Sequence, residues 1–305
     1  MRWRKLGRLF VPDGTRPWAR THAAVPTVEL LDARLARVYF AGRDDQNRSS
    51  VACVDMALDG TPRVVREGDR ALLAPGELGG FDDSGAMPSW IVRHGGEVLL
   101  YYIGWNLGVT VPFRNAVGLA RKSADGSFER VSRGPILDRN AVDPLFTASV
   151  CVLPESPWRM YYLSCLRWES TAAGLRHHYH LRYAESPDGI AWRRDGRVAI
   201  DFAYPQEYAI SRPSVVRDAD RYRMWFSSRG RPEADTYRIG YAESSDGIVW
   251  QRHDDQAGID VSTDGWDAEM ICYPCVFDAA GARYMLYNGN GYGRSGFGIA
   301  ILEQD

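Results

Sequence analysis

Chemistry in this sequence is concentrated in acids, arginines and aromatics that fall at the ends of short apolar segments. They are His22; Arg43 and Asp44; Asp82 and Asp83; Trp105 and Asn106; Asp143; Trp168; Glu207 and Arg212; Arg229; Glu269 and Tyr273; Asn288 and Asn290. Carboxylates accept hydrogen bonds from hydroxyls, arginine and asparagine fix orientation, and flat aromatics cover the apolar side of a ring. A set of this kind suits a polyhydroxylated ring, that is, a sugar. Two carboxyl groups can also act at an acetal carbon, one protonating the leaving oxygen while the other activates water or attacks the carbon. Scattered along the sequence, these residues do nothing until a fold gathers them.

Each has a structural reading as well. Asp125, Asp188 and Asp246 precede glycine and fit the capping position of a tight turn. Asp83, Asp143, Glu207 and Glu269 can instead form ion pairs with Arg43, Arg212 or Arg229 and lock neighbouring elements together. His177, His178 and His180 form a local HHYH with no acid at ligand spacing, which places them on a surface or loop. Cys272 and Cys275 form a C-x-x-C inside a strand-like run, where an i, i+3 pair points to opposite faces. No second pair completes a metal site, so neither metal nor cofactor is expected.

The elements that would gather these residues are visible as an internal repeat. The segment LRYAESPDGIAWRRDG at 181–196 matches IGYAESSDGIVWQRHD at 239–254, with a weaker copy, VGLARKSADGSFERVS, at 117–132. Each reads as a strand, an Asp-Gly turn and a second strand opening on an aromatic, which is a β-hairpin. Segments at 51–60 and 297–305 match the first strand alone, giving starts at 51, 117, 181, 239 and 297. Before each lies another strand pair, whose first member carries a proline: Pro26, Pro88, Pro144, Pro213 and Pro274. Five units of four strands predict an all-β, five-bladed β-propeller with antiparallel blades. Blades are expected at about 22–80, 81–140, 141–205, 206–260 and 268–305, the last completed by residues 2–10, in a single domain spanning 1–305. The last unit lacks its Trp-x-Arg outer strand, and Trp3-Arg4-Lys5 at the start resembles Trp192-Arg193-Arg194 and Trp250-Gln251-Arg252. The N-terminal segment is therefore expected to close the ring and remove a bare sheet edge. Trp3, Trp192 and Trp250 are expected to pack between blades. In such a ring the first strand's start and the second strand's end meet on one face, so the polar residues named above converge on a central funnel.

Bulk composition agrees with one large soluble domain. The chain has 305 residues, 45% of them hydrophobic, a net charge of −2 and a pI near 6.3. That balance offers no global basic field for nucleic acid or an anionic membrane. No long apolar run or signal-type start is present, which predicts a cytoplasmic location, and five thinly spread cysteines argue for reduced, buried thiols.

On these repeats and on the terminal YNGNGYGRSGFG, the chain resembles the five-bladed propellers of carbohydrate-active enzymes: the arabinanase/β-xylosidase and invertase/levansucrase groups, the related mannoside phosphorylases, and a subgroup met in bacterial biosynthetic clusters. The arabinanase-type resemblance implies Glu207 as general acid and Asp143 as pKa modulator. The first-blade base does not carry over, because His22-Ala23-Ala24-Val25-Pro26 stands where Asp-Pro would be. Arg43-Asp44 resembles the Arg-Asp of the invertase group, whose Asn-Asp-Pro-Asn nucleophile motif is absent, as is the phosphorylase Glu-Asp-Pro-Arg. The base is then Asp83, Glu269 or His22. The resemblance implies an enzyme acting at a glycosidic or sugar-like acetal carbon on a small sugar or glycoside. The alternatives are a glycosyl-transferring or tailoring enzyme of a biosynthetic pathway, and a non-catalytic sugar-binding or scaffold propeller.

Overall fold

The computed structural model describes residues 1–304; Asp305, the last residue of the expected fifth blade, lies outside them. β1 (Arg2–Phe10) is the outermost strand of a sheet completed only at the other end of the chain. A first unit follows as β2 (Thr21–Leu30), β3 (Leu35–Arg43), β4 (Ser49–Ala57) and β5 (Arg63–Glu67). The second is β6 (Gly85–His94), β7 (Glu97–Leu107), β8 (Phe113–Lys122) and β9 (Phe128–Arg130). The third is β10 (Thr147–Leu153), β11 (Trp158–Thr171), β12 (Gly174–Ser186) and β13 (Val198–Ile200). The fourth is β14 (Ala209–Arg217), β15 (Tyr222–Arg229), β16 (Arg238–Ser244) and β17 (Gln251–Arg252). The fifth runs β18 (Cys272–Ala279), β19 (Ala282–Asn288), β20 (Phe297–Gln304) and then back to β1, which pairs antiparallel with β20 through Trp3↔Leu302 and Arg8↔Gly298. The described residues form no α-helix, and no helix is long and apolar enough to cross a membrane.

Within every unit the strands run antiparallel in sequence order. The innermost strands touch in succession, β2 with β6, β6 with β10, β10 with β14 and β14 with β18, and β18 touches β2. A repeated small residue supplies hydrogen bonds at this inner ring. Ser89 Oγ accepts from Val150 N at 2.7 Å, Cys151 Sγ from Val215 N at 3.4 Å and Ser214 Oγ from Val276 N at 2.8 Å. The Cys275 thiol takes one from the Val28 backbone, joining the fifth unit to the first. With Thr27, these positions recur at intervals of 62, 62, 63 and 61 residues.

Arg212 lies among the innermost strands and is fully buried. Its guanidinium donates to Pro26 O at 3.0 Å and Thr27 Oγ1 at 2.9 Å, lies 5.5 Å from the Trp90 ring centre, and stands beside the Cys275 thiol. One side chain of the fourth unit thus touches the first, second and fifth. Burial without a carboxylate partner holds its pKa below the usual arginine value.

The outer strands are fastened by tryptophan and tyrosine. The indoles of Trp192 and Trp250 meet Tyr101 and Tyr161 of the preceding unit edge-on at 6.4 and 5.4 Å, and Trp3 meets Trp225 at 5.7 Å. The hydroxyls of Tyr101 and Tyr161 also donate to the Gly189 and Gly247 carbonyls of the Asp-Gly turns, at 2.8 and 2.7 Å. Those turns are capped as their sequence predicts: Asp188 Oδ1 accepts from Ile190 N and Ala191 N, and Asp246 Oδ1 from Ile248 N and Val249 N. All five cysteines are free and buried.

Candidate functional site

A cavity of about 550 Å³ opens where the innermost strands begin, and all five units line it. That volume lies within the range of small-molecule sites. Each innermost strand carries a register shift there, between Ala24 and Thr27, Pro88 and Trp90, Ala148 and Val150, Ser211 and Ser214, and Cys272 and Cys275. A bulge re-aims one side chain off the alternating pattern. Val25, Ser149 and Tyr273 at these bulges reach the cavity with φ of 55°, 36° and 57°, and Met87, just before the β6 bulge, reaches it as well. Left-handed backbone at branched or bulky residues costs on the order of 1–3 kcal/mol each and is held by surrounding structure.

One wall is built around Trp105. Its indole N–H donates to Ser49 Oγ at 2.7 Å, and the backbone of Gly85 passes so close that a Cβ there would stand 2.6 Å from that nitrogen. Arg43 lies 5.9 Å from the Trp105 ring centre and donates to Asn47 Oδ1 at 2.7 Å. The opposite wall is aromatic: the hydroxyls of Tyr179 and Tyr237 are hydrogen-bonded to each other, Ser211 reaches Tyr237 at 3.4 Å, and His177 stacks on Tyr179 at 5.0 Å. Burial raises the phenol pKa values of Tyr179, Tyr237 and Tyr273, so all three hydroxyls stay protonated donors at neutral pH.

His22 lines the same cavity at φ 64°, its Nδ1 2.9 Å from Thr21 Oγ1. Burial, then repulsion from Arg43 and Arg294, lowers its pKa to about 4, leaving a neutral imidazole at physiological pH. His177 is lowered to about 4 by burial and by Arg229. Among the described residues, no carboxylate lines the cavity. No cluster of three or more His, Cys, Asp or Glu among them could hold a metal ion.

Of the residues expected to converge, His22, Arg43, Trp105 and Tyr273 line the cavity together. Trp168 and Arg229 stand one layer behind: Trp168 packs on His177 and Phe113 at 4.9 and 5.6 Å, and Arg229 lies 5.3 and 5.7 Å from the rings of Tyr237 and Tyr292. Asn288 is buried, accepting from Val25 N and donating to Ala23 O, which ties the fifth unit to the first. Asn290 Oδ1 accepts from Glu269 N, and the Glu269 side chain is exposed outside the lining. Asp44 caps a turn against Gln46, Arg48 N and the Arg48 guanidinium, and Asp83 accepts from Gly79 N and Ser84 Oγ. Asn106 is half-buried on β7 outside the lining, and Arg212 lies in the ring already described.

The remaining acids follow one rule. Asp82 pairs with Arg130 at 2.7 Å and accepts from Tyr102. Asp143 pairs with Arg182 and Arg194 at 3.0 and 2.8 Å and accepts from Tyr162 and Ser164. Glu207 pairs with Arg252 at 2.9 Å and bonds Ser228, and Asp267 pairs with Lys5 at 2.7 Å and accepts from Tyr287. In each of four units, the acid just before the innermost strand is buried against the basic residue two positions beyond the outer-strand aromatic: Phe128-x-Arg130, Trp192-x-Arg194, Trp250-x-Arg252 and Trp3-x-Lys5. The pairing is internal to a unit, unlike the expected pairing with Arg43, Arg212 or Arg229, which form no ion pair among the described residues. Glu207 and Asp143 therefore lie outside the cavity lining, each closing the inbound connection of its own unit onto that unit's outer strand.

Several lining residues were not anticipated: Asn47, Asn115, Ser149, His177, Tyr179, Ser211, Tyr237 and Tyr292. Val25, Met87 and Tyr273 each precede a strand proline, a signal that was readable as a bulge. The HHYH segment is a strand and not a surface loop: His177 faces the cavity with Tyr179, while His178 and His180 are buried against Glu169 and Asp201 at 2.6 and 3.0 Å.

No protein-family model matches the chain. The chain is 46% identical over 306 residues to the uncharacterized protein Rv1502 of Mycobacterium tuberculosis (strain ATCC 25618 / H37Rv), covering 99% of this chain and 100% of that protein. Among solved structures it resembles an endo-arabinase from Bacteroides thetaiotaomicron VPI-5482, with a TM-score of 0.64, 16% identity, and coverage of 95% of this chain and 98% of the other. A thermostable family-43 glycoside hydrolase superposes with a TM-score of 0.69 and 16% identity, over 93% of this chain and 91% of that one. At such identities the likeness is one of fold: the chain has the all-β fold of these glycoside hydrolases.

Proposed function

We propose, for a chain that belongs to the family of the Mycobacterium tuberculosis protein Rv1502, a closed, five-bladed, single-domain propeller that holds a saccharide or sugar-like ligand in its axial cavity. Closure is supported by the β1–β20 pairing, the contact of β18 with β2 and the reach of Arg212 across the ring. The carbohydrate reading is supported by the fold shared with glycoside hydrolases and carried by one observation: a cavity whose walls combine Trp105, Tyr273 and Tyr237 with Arg43, Asn47 and Asn115. Aromatic walls with a few convergent polar groups are what sugar rings require.

Among the described residues no carboxylate lines the cavity, and the reading proposed first is therefore one of binding. A second reading is favoured by His22, a neutral imidazole that can accept a proton from a ligand hydroxyl. On that reading the protein is a transferring or tailoring enzyme with His22 as base, while Glu207 and Asp143 serve the fold.

The test is calorimetric titration against a saccharide panel with parallel analysis for products. Trp105→Ala should weaken binding about tenfold or more, the scale of a lost stacking and packing contact. Glu207→Gln should leave affinity unchanged. Product that disappears in His22→Gln selects the second reading. If no saccharide binds, or Trp105→Ala binds as wild type does, the assignment of this cavity is wrong.

A further inference from the structure

The charged groups around the cavity are unbalanced. Arg43 lines it, and Arg294, exposed just beyond the lining residue Tyr292, is close enough to repel a proton on His22 together with Arg43. Arg229 stands behind Tyr237 and Tyr292. None of the three forms an ion pair among the described residues. The nearby acids are engaged or turned away: Asp44 is held by Arg48, Asp45 by Arg20 at 3.4 Å, and Asp235 lies against Tyr208. Glu269 is exposed outside the lining.

Arg43 spends one N–H on Asn47 and keeps the remainder of its five-donor fork available. A half-buried guanidinium without a counter-charge gives up solvation that an anionic ligand oxygen restores, and its planar fork matches a carboxylate or phosphate through two parallel hydrogen bonds. A wall of one sign in a recess also concentrates oppositely charged solutes.

We infer that the ligand of this cavity is an acidic sugar, one bearing a carboxylate or phosphate that Arg43 receives, with Arg294 adding to the field at the mouth. The inference rests on the saccharide reading of the same cavity. It is tested by calorimetric titration of the full-length protein with the methyl glycosides of glucose, galactose and mannose, each as the neutral sugar, the uronate and the 6-phosphate. For the matching frame, an acidic form should bind about tenfold tighter than the neutral one, and high salt should erode the advantage. The uronate and phosphate arms identify which anion is taken. Arg43→Met should abolish the preference while Arg43→Lys keeps part of it, and Arg294→Met, an exposed change, should reduce it. Equal affinity for neutral and acidic forms, or a preference that survives both Arg43→Met and Arg294→Met, overturns the inference and leaves the saccharide reading standing. No binding by any member of the series overturns both.

Discussion

The most informative residues are two acids, Asp143 and Glu207, whose carboxylates are buried in ion pairs with arginines of their own units. Asp143 and Glu207 have counterparts in Asp82 and Asp267, each bound to the basic residue of its own outer strand. A group that recurs in four units serves what the units share. Glu207→Gln should then destabilise the fold by roughly 1–3 kcal/mol, because Arg252 loses one of its two buried carboxylate partners and keeps only Asp254. Chemical denaturation measures this, and a variant of wild-type stability would return Glu207 to the functional groups. His22 and His177 give a second prediction at this scale. Their ordinary values near 6.5 fall to about 4 in the folded protein. Between those values the unfolded polypeptide takes up protons that the folded one refuses, so stability rises with pH across that window and is lost as pH falls through it. Urea melts across the window should show the slope, and the double variant His22→Gln/His177→Gln should flatten it; an unchanged slope would assign the effect to other groups.

At the scale of the strand, β1 carries the argument. Trp3 is buried against Trp225, Trp3 N donates to Gly258 O at 3.0 Å, and Lys5 pairs with Asp267. Deleting residues 1–10 strips these contacts and bares the edge of β20, so the melting temperature should fall and aggregation rise; a truncated protein that melts with the full-length one would show that the strand is dispensable. This pairing was legible because Trp3-Arg4-Lys5 copies Trp192-Arg193-Arg194 and Trp250-Gln251-Arg252, while the last unit lacks that strand. The bulges were not read, although the prolines marking them stood in plain view: a register shift is decided by how neighbouring strands crowd an axis, which pairwise residue spacing does not express. Tyr179 and His177 were missed for a related reason, since a strand of alternating large polar rings looks like surface until another unit is packed against it.

For the molecule as a whole, strand order followed from repeat spacing, whereas the content of the central recess did not. Convergence of strand ends was foreseen and occurs for His22, Arg43, Trp105 and Tyr273. The acids diverged from it because a carboxylate near a strand end has two destinations, the recess or the unit's own outer strand. The choice depends on whether a cation waits there; Arg130, Arg194 and Arg252 do.

The pairing of β1 with β20 bears on how the protein is made. β1 is synthesised before its partner β20, so Trp3 and its neighbours remain unpaired while the strands between them are made. The fifth sheet is completed only once β20 has been made. A nascent polypeptide stalled before Phe297 carries the open edge of β19 and an unpaired β1 whose Trp3, Leu6 and Phe10 lack their cover, features that chaperones and proteases read as unfinished.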